Sequence, residues 1–362
     1  MERKWFTREY QPGDENGIIA LWKVAFLEGE GGRADLEYWN WQFRDPPAGF
    51  ARIRVAVVDG MIVGHYAVIP VHMQIKGEPV AGTLSLDTMT HPDYQRQGIL
   101  TTLASELYAE LGREGFPITY GFPNENSFGA LIKRLQWAYV CSLPVHVKPL
   151  RPGVIVDRIM PIRLLAAVAK ALAGVGAAIV SRPMKVPDQH RANIRWLEQF
   201  DSRADELWQT AYDRRKIALV RSAEFLNWRY FRNPLRGYRA VAFEEEDQLV
   251  AYAVVRCMEQ FGLRGGMITD VVGRPGRDDA VQAVLAAAEE YFVKEEMDLS
   301  ACLMHGDRRI TRLLRRKGFL LAPKRSFKEW YFCVRVNSDS VRPDLAHDPD
   351  SWYVTFGDTD VV

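Results

Sequence analysis

Apolar and polar residues change their spacing around residues 91 to 98. Between Leu84 and Thr90, leucine and threonine alternate with other residues, which is the period of a strand. After residue 98, apolar side chains recur every four residues, at Ile99, Leu103, Leu107 and Leu111. The pattern predicts a strand, a short polar loop and an amphipathic helix, in that order.

The loop His91–Leu100 reads HPDYQRQGIL. The first turn of a helix leaves backbone N–H groups without partners, which makes it a binding place for a pyrophosphate. Gly98 allows a tight turn and lets phosphate oxygens approach the backbone. Gln95, Arg96 and Gln97 can add side-chain donors. The segment predicts a phosphate-binding loop that needs no metal.

This loop resembles motif A of the GNAT superfamily, the acetyl-CoA-dependent N-acetyltransferases. The family pattern there is (Arg/Gln)-x-x-Gly-x-(Gly/Ala), after the fourth strand. Gln95 and Gly98 match it. Leu100 replaces the usual glycine or alanine, as in members similar to the enhanced-intracellular-survival acetyltransferases.

The run Ile118–Phe122 and the helix after it resemble motif B of the same family. In that motif the fifth strand splays from the fourth, and an asparagine, here Asn126, reaches the pantetheine arm of the cofactor. In many members a tyrosine on the helix protonates the leaving thiolate. Ile132 stands at its position, so another donor or water must serve.

The resemblance implies acetyl-CoA as the donor substrate and assigns residues to it. Three strand residues would pair with the pantetheine and stabilise the developing oxyanion: Met89, Thr90 and His91. The residues that would hold the pyrophosphate are Gln95, Arg96, Gln97, Gly98, Ile99, Leu100 and Thr101. The reaction requires no metal.

The chain contains the same unit twice, once in residues 1–150 (the N-terminal copy) and once in residues 197–336 (the C-terminal copy). Asn40-Trp41 returns as Asn227-Trp228, and other pairs return at nearly the same offset. The C-terminal copy has Gly273–Asp278 in place of the loop, and Pro275 removes an N–H that an anion would need. We therefore expect the N-terminal copy to bind acetyl-CoA and the C-terminal copy to shape the acceptor site or to act as a scaffold.

Four residues are candidates for the acceptor side. Asp87, on the strand before the loop, is expected to take a proton from an ammonium group, directly or through water. Its alternative role is to hydrogen-bond a neighbouring strand end. Trp39 is a candidate substrate contact, with core packing as the favoured alternative. Asp358 and Asp360, or the terminal carboxylate, are expected to bind a cationic acceptor.

Charge and cysteine usage narrow the classes of partner. The chain has 47 Lys and Arg against 46 Asp and Glu, so no overall field would attract nucleic acid. The N-terminus lacks the apolar run of a signal peptide, so we expect none there. The four cysteines lack the spacing of metal ligands, which predicts reduced thiols in a cytoplasmic protein.

The apolar segment Leu164–Val180 is interrupted by Lys170, and it is too short and too weakly apolar for a transmembrane helix. We expect a helix that packs against the body or against a partner subunit, which leaves a homo-oligomer open. Membrane insertion is not expected.

These observations predict an α/β protein of two tandem GNAT-fold domains, each a mixed, mainly antiparallel sheet flanked by helices. Besides the two copies, we expect a helical linker at 151–196 and a tail at 337–362 docked on the body.

The implied function is direct transfer of an acetyl group to a primary amine of a small-molecule or sugar acceptor. One alternative is an acyltransferase with another acyl donor or a cell-wall aminoacyl acceptor. The other is a non-catalytic scaffold that holds acyl-CoA.

Overall fold

The computed structural model describes residues 5–26, 33–154, 182–213, 216–235, 237–260, 262–322 and 329–359. Leu164–Val180 and Asp360 lie outside these ranges. The described strands are β1 (Phe6–Glu9), β2 (Arg52–Val58), β3 (Met61–Ile75), β4 (Glu78–Thr90), β5 (Ile118–Gly121), β6 (Ala138–Ser142), β7 (Val145–Pro149), β8 (Ile194–Leu197), β9 (Ile217–Leu219), β10 (Tyr238–Glu245), β11 (Gln248–Gln260), β12 (Leu263–Gly273), β13 (Leu299–His305), β14 (Leu320–Leu321), β15 (Tyr331–Val336) and β16 (Val354–Thr355).

The described helices are α1 (Glu15–Ala25), α2 (Leu36–Trp39), α3 (Ile99–Arg113), α4 (Glu125–Arg134), α5 (Asp188–Arg191), α6 (Arg203–Ala211), α7 (Ala223–Leu226), α8 (Asp278–Lys294), α9 (Arg308–Arg316) and α10 (Pro343–His347). None of these helices is both long and apolar enough to cross a bilayer.

The strands form two sheets, one for each copy. The first sheet has the order β1-β2-β3-β4-β5-β15-β6, with β9 beside β3, and the second has the order β14-β7-β13-β12-β11-β10-β8, with β16 beside β13. Only the neighbours β4 and β5, and β12 and β13, are parallel among the described pairs. The predicted fold class, two mixed and mainly antiparallel sheets with flanking helices, is confirmed.

Each sheet contains strands from the other half of the chain: the first contains β9 and β15, and the second contains β7. β15 lies between β5 and β6, and its Cys333 is opposite Gly121 on one side and Tyr139 on the other. β7 lies between β13 and β14, with Val147 opposite Ala301. The predicted bounds at 150 and 336 do not anticipate this exchange, because a local pattern identifies a strand without identifying its sheet.

A buried ion pair fastens the exchanged strand β7. Lys148 Nζ lies 2.7 Å from Glu289 Oε2 of α8, and both side chains are inaccessible to solvent. Glu289 also accepts the backbone N–H of Met184 at 2.8 Å. These partners offset the cost of burying the carboxylate. The ion pair therefore holds β7 in the second sheet in addition to the backbone hydrogen bonds of the strand.

The duplication is visible in local irregularities of the backbone. α2 and α7 are each a single turn, and each runs directly into a π-helical turn, Asn40–Arg44 in one copy and Asn227–Phe231 in the other. Such turns are rare in proteins. Their presence after the same Asn-Trp start confirms the repeat.

Trp41 and Trp228, the second residues of the two π-helical turns, meet where the copies join. Their indoles stack with centroids 5.1 Å apart. Trp41 Nε1 donates to the carbonyl of Trp228 at 2.8 Å, and Trp228 Nε1 donates to the carbonyl of Trp41 at 2.9 Å. The pair lies in one apolar core with residues from both sheets, such as Leu84, Leu303 and Trp352.

The other face of each sheet has its own core. α3 packs Leu103 and Leu107 against Val63 of the first sheet. α8 packs Val284 and Leu285 in a cluster that includes Val241 of the second sheet. The copies therefore join through the faces that these helices leave uncovered.

We expect Trp41→Phe and Trp228→Phe each to lower the free energy of unfolding by about 1–2 kcal/mol, because each removes a buried hydrogen bond and part of the stack. The double variant should depart from additivity by roughly 0.5 kcal/mol or more. Urea titrations followed by fluorescence measure both quantities. Trp196→Phe, at a part-exposed edge position, is the control, and equal losses in all three single variants would contradict the expectation.

Candidate active site

The strands β4 and β5 are paired over only part of their length. Their parallel register runs from Gly82 opposite Ile118 to Ser85 opposite Gly121. β5 then ends, whereas β4 continues to Thr90. The edge of β4 from Leu86 to Thr90 is therefore open toward the start of α4. The splay that the family resemblance implies is present.

A β-bulge marks the open part of β4. Asp87 has a positive φ of 44°, at the point where the register with β3 shifts between His65 and Ala67. A non-glycine residue in this conformation is held there by its surroundings. His65 supplies one restraint, because its Nδ1 lies 2.8 Å from the Asp87 carbonyl and must donate to it. The bulge re-aims the strand beside the gap.

The Asp87 carboxylate is held by two side chains from the N-terminal copy. Gln42 Nε2 donates to its Oδ2 at 2.6 Å. Arg33 Nη1 lies 4.0 Å from Oδ1, and the Asp87 side chain is 8% exposed. Asp87 thus lies at the splay, where a proton acceptor for the reaction would be needed. Its role as that acceptor stays a prediction.

The loop after β4 has the geometry of an anion site. Gly98 has a φ of 83° and forms the N-cap of α3, and Gln95, Arg96 and Gln97 are exposed. Thr102 N–H donates to the Gly98 carbonyl at 3.0 Å. The preceding N–H groups, from Gly98 to Thr101, bond to no acceptor in the described part of the chain. They can bind an anion at the helix N-terminus.

Of the three strand residues expected to contact pantetheine, the structure leaves one with a free N–H. The N–H of His91 donates to the Val63 carbonyl at 2.9 Å, and its ring accepts from Asp93 N–H at 3.3 Å. N–H groups alternate in direction along a strand. The N–H of Met89 therefore also faces β3, and that of Thr90 faces the gap. The prediction for the backbone of Met89 and His91 is corrected accordingly.

Ile99 and Asn126, two further residues expected to contact the cofactor, lie at the starts of α3 and α4. Ile99 is buried in the core beneath α3 with Leu103, so it can offer a ligand only its backbone. Asn126 is exposed in the first turn of α4, where Asn124 Oδ1 accepts its N–H at 3.0 Å. Its side chain is therefore accessible beside the gap. Ile132, at the tyrosine position, is half-buried against the core of the first sheet.

Trp39 and Asp358, two of the candidates for acceptor contacts, lie in interiors. Trp39 is 3% exposed and stacks on Tyr10 with centroids 5.7 Å apart, which favours the packing alternative. Asp358 is 2% exposed, and its carboxylate is already paired, as described next. A cationic acceptor would have to displace that internal partner.

Arg221 is a buried residue that the sequence analysis did not single out. Its Nε lies 3.1 Å from Asp270 Oδ2, and its Nη1 and Nη2 each lie 2.7 Å from the Asp358 carboxylate. Burial raises the pKa of Asp270, and Arg221 opposes that shift. Asp270 lies at a register shift of β12 that corresponds to the bulge at Asp87. The repeat itself was the signal that could have indicated it.

The described residues contain no group of three His, Cys, Asp or Glu side chains placed to hold a metal ion. The gap and the loop offer backbone N–H groups and the cationic side chain of Arg96. This chemistry suits a phosphate-bearing ligand that lies along an open strand edge.

His65 makes stability depend on pH. Burial lowers the pKa of this imidazole to about 4, and its bond to the Asp87 carbonyl opposes the shift. The unfolded chain takes up a proton at His65 below about pH 6.5, but the folded chain does so only below about pH 4. Acid therefore favours the unfolded state in this interval.

The wild type is expected to lose free energy of unfolding when the pH falls from 7.5 to 4.5. In His65→Gln this loss should be smaller by about 2–3 kcal/mol, as urea titrations at the two pH values would show. His72→Gln, which replaces an exposed histidine on the same strand, should retain the pH dependence of the wild type. An unchanged dependence in His65→Gln would show that this residue does not set it.

Comparisons with known proteins agree with this geometry. Residues 7–140 match the acetyltransferase (GNAT) domain family. No curated protein matches the sequence. The fold is similar to that of a conserved Enterococcus faecalis V583 protein described as a probable N-acyltransferase, with a TM-score of 0.65 at 9% identity over 92% of this chain and 73% of that one.

A GCN5-related N-acetyltransferase from Anabaena variabilis is similar too, with a TM-score of 0.61 at 13% identity over 92% of this chain and 73% of that one. At such identities the likeness is one of fold, and it extends over both copies. The match to the acetyltransferase (GNAT) domain family is confined to residues 7–140, the part of the chain that contains the loop before α3.

Proposed function

We propose that the protein transfers an acetyl group from acetyl-CoA directly to a primary amine of a small-molecule or sugar acceptor. The observation that carries the proposal is the row of unpartnered N–H groups at the start of α3, directly after the open edge of β4. The pyrophosphate of coenzyme A would bind the row from Gly98 to Thr101, with Arg96 beside it. The pantetheine arm would extend along the edge of β4 toward Asp87.

The reaction needs one bond formed and one bond broken. The amine nitrogen attacks the thioester carbonyl carbon, the C–S bond breaks, and the thiolate leaves. The Thr90 N–H, which faces the gap, would stabilise the oxyanion. Asp87 would take the proton that the ammonium group must lose before attack. As the amide forms, the nitrogen would lose a second proton to water and, with Ile132 at the tyrosine position, water would deliver a proton to the thiolate.

The acceptor would approach from the side where the copies meet. A cavity of about 30 Å³ lies there beside Gln42, the side chain that holds Asp87. Tyr120 of the first sheet and Arg229 of the C-terminal copy line it, together with Gly357–Thr359 of the tail. A cavity of this size holds about one water molecule, so an acceptor would extend outward from it between the copies.

A non-catalytic acyl-CoA-binding protein is the second candidate, and the half-buried Ile132 favours it, because no hydroxyl stands there to protonate a thiolate. Release of coenzyme A thiol separates the two. A panel of amino sugars, aminoglycosides, polyamines and peptides, each with acetyl-CoA and with longer acyl-CoA donors, should give release with at least one amine if the protein is an enzyme.

We expect Gly98→Val to abolish the thermal stabilisation that coenzyme A gives the wild type, since a side chain there would cover the donor groups. At a ligand concentration of 100 times Kd that stabilisation is about 2.7 kcal/mol, which a melting scan detects. Gly115→Val is the matched control, because Gly115 has nearly the same φ, 85°, and open space around it at the other end of α3. Loss of the shift in both variants, or a wild type that millimolar coenzyme A does not stabilise, would argue against the donor site.

We expect Asp87→Asn to lower kcat by roughly 10²–10⁴-fold, because the amide cannot take a proton from the ammonium group. Asparagine keeps an oxygen that can accept from Gln42, so the bulge should persist. Asp45→Asn, at a half-exposed carboxylate paired with Arg44, should leave kcat unchanged. A lower melting temperature with an unaltered kcat would instead assign Asp87 the hydrogen-bonding role.

A further inference from the structure

The C-terminal copy has a larger cleft of its own. β12 and β13 are paired in parallel from Gly265 opposite Leu299 to Ile268 opposite Cys302, and beyond that point they border a cleft of about 1090 Å³. Its walls include the ends of both strands, the start of α9 and Lys76, which the N-terminal copy contributes. A cleft of this size holds a small molecule rather than a single ion.

This cleft is not a second coenzyme A site. Arg309 donates to the carbonyls of Gly273 and Arg274 at 2.6 and 2.7 Å and so crosses the opening between the strands. α8 begins with Asp278 and Asp279. Their carboxylates would repel a pyrophosphate at that helix N-terminus, so a ligand of the cleft must bind elsewhere in it.

One face of α9 supplies positive charge to the cleft. Arg308, Arg312 and Arg315 lie four and three residues apart, which places them on the same side of the helix. None of the three has an ion pair or a side-chain hydrogen bond with another residue in the described part of the chain. The carboxylate of Asp307, by contrast, is already hydrogen-bonded, because it accepts the backbone N–H groups of Arg309 and Ile310.

Charges from other elements also line the cleft. Lys216 donates to the Asp350 carbonyl. The carboxylate of Asp348 accepts from Asp350 N–H and from the hydroxyl of Ser351. Asp213 and Asp350 are the remaining acidic side chains of the lining. Arg308, Arg312 and Arg315 thus form a cationic wall of the cleft that has no ion pair among the described residues.

His146 is an independent sign that the cleft takes a ligand. It lines the cleft from the exchanged strand β7 and is 1% exposed, yet neither ring nitrogen makes a well-formed hydrogen bond, although a contact with the Cys302 backbone opposes the lowering of its pKa. A buried polar group without a good hydrogen bond is unfavourable, and a ligand that bonds to it removes that cost. Burial, and next the charge of Arg315, lower the pKa of this imidazole. It is therefore neutral at pH 7 and has one N–H to donate.

We propose that this cleft binds a phosphorylated small molecule, with its phosphate against Arg312, Arg315 and His146. Guanidinium groups bind phosphate in a bidentate manner, and three of them on one helix face suit an anion of more than one charge. The rest of the cleft holds the body of the molecule. The site lies in the C-terminal copy, so it is separate from the proposed donor site and does not depend on it.

Inorganic pyrophosphate is the probe, and the full-length Gly98→Val chain is the protein, so that the donor loop does not contribute. Calorimetry should detect binding to this chain. The further change Arg312→Ala with Arg315→Ala should weaken the affinity at least tenfold. Arg316→Ala is the matched control, since Arg316 is exposed on the same helix and does not line the cleft; it should leave the affinity within twofold.

Imidazole resonances give a second readout that does not rely on affinity. The Cε1–H signal of His146, assigned with His146→Gln, should shift on addition of pyrophosphate, and the shift should vanish in the double arginine variant. Equal affinity in the double variant and in the Arg316→Ala control would overturn the proposal. Binding of citrate as tight as that of pyrophosphate would overturn its assignment to phosphate. Turnover with acetyl-CoA is not involved, so the result is independent of the proposed function.

Discussion

The exchange of strands between the two halves is the constraint on which the rest of the structure depends. β5 is fixed on one edge by β4 and on the other by β15, a strand that follows it by some two hundred residues. Asn337, at the end of β15, binds the carbonyls of Phe116 and Pro117 just before β5 begins. The C-terminal half therefore holds β5 in place beside the gap between β4 and β5. Its geometry is a property of the whole chain.

Both copies have an aspartate at a register shift of a strand, and its partners differ between the copies. In each, an aspartate lies at a register shift on the strand that precedes the gap. Asp87 is bound by a neutral amide and faces an arginine at 4.0 Å, whereas Asp270 is joined to Arg221 and Asp358 in a fully buried cluster. A buried cluster of this kind is costly to break. The tail is thereby anchored in the C-terminal copy, at the place that corresponds to Asp87 in the N-terminal one.

Local features of the sequence predicted the local features of the site. The polar loop, the N-terminal turn of α3 at Gly98 and the repeated Asn-Trp turns depend on residues that are close in sequence, so spacing and residue type were sufficient. The direction of the His91 N–H depends on the register with β3, and the partner of Asp358 depends on a residue far away in the chain. The sheet that β7 and β15 join depends on competition between two similar edges. Such outcomes are decided by tertiary packing, which a periodic pattern does not contain.

The reciprocal bonds of Trp41 and Trp228 make the junction of the copies an isologous interface inside one polypeptide. In a symmetric dimer, a single substitution changes both sides of such a contact at once. Here the two sides of the contact are different positions of one chain, so either tryptophan can change without the other. The chain can thus keep dimer-like packing where the copies join while one copy has the polar loop before α3 and the other has Asp278, Asp279 and the crossing Arg309 at the corresponding place.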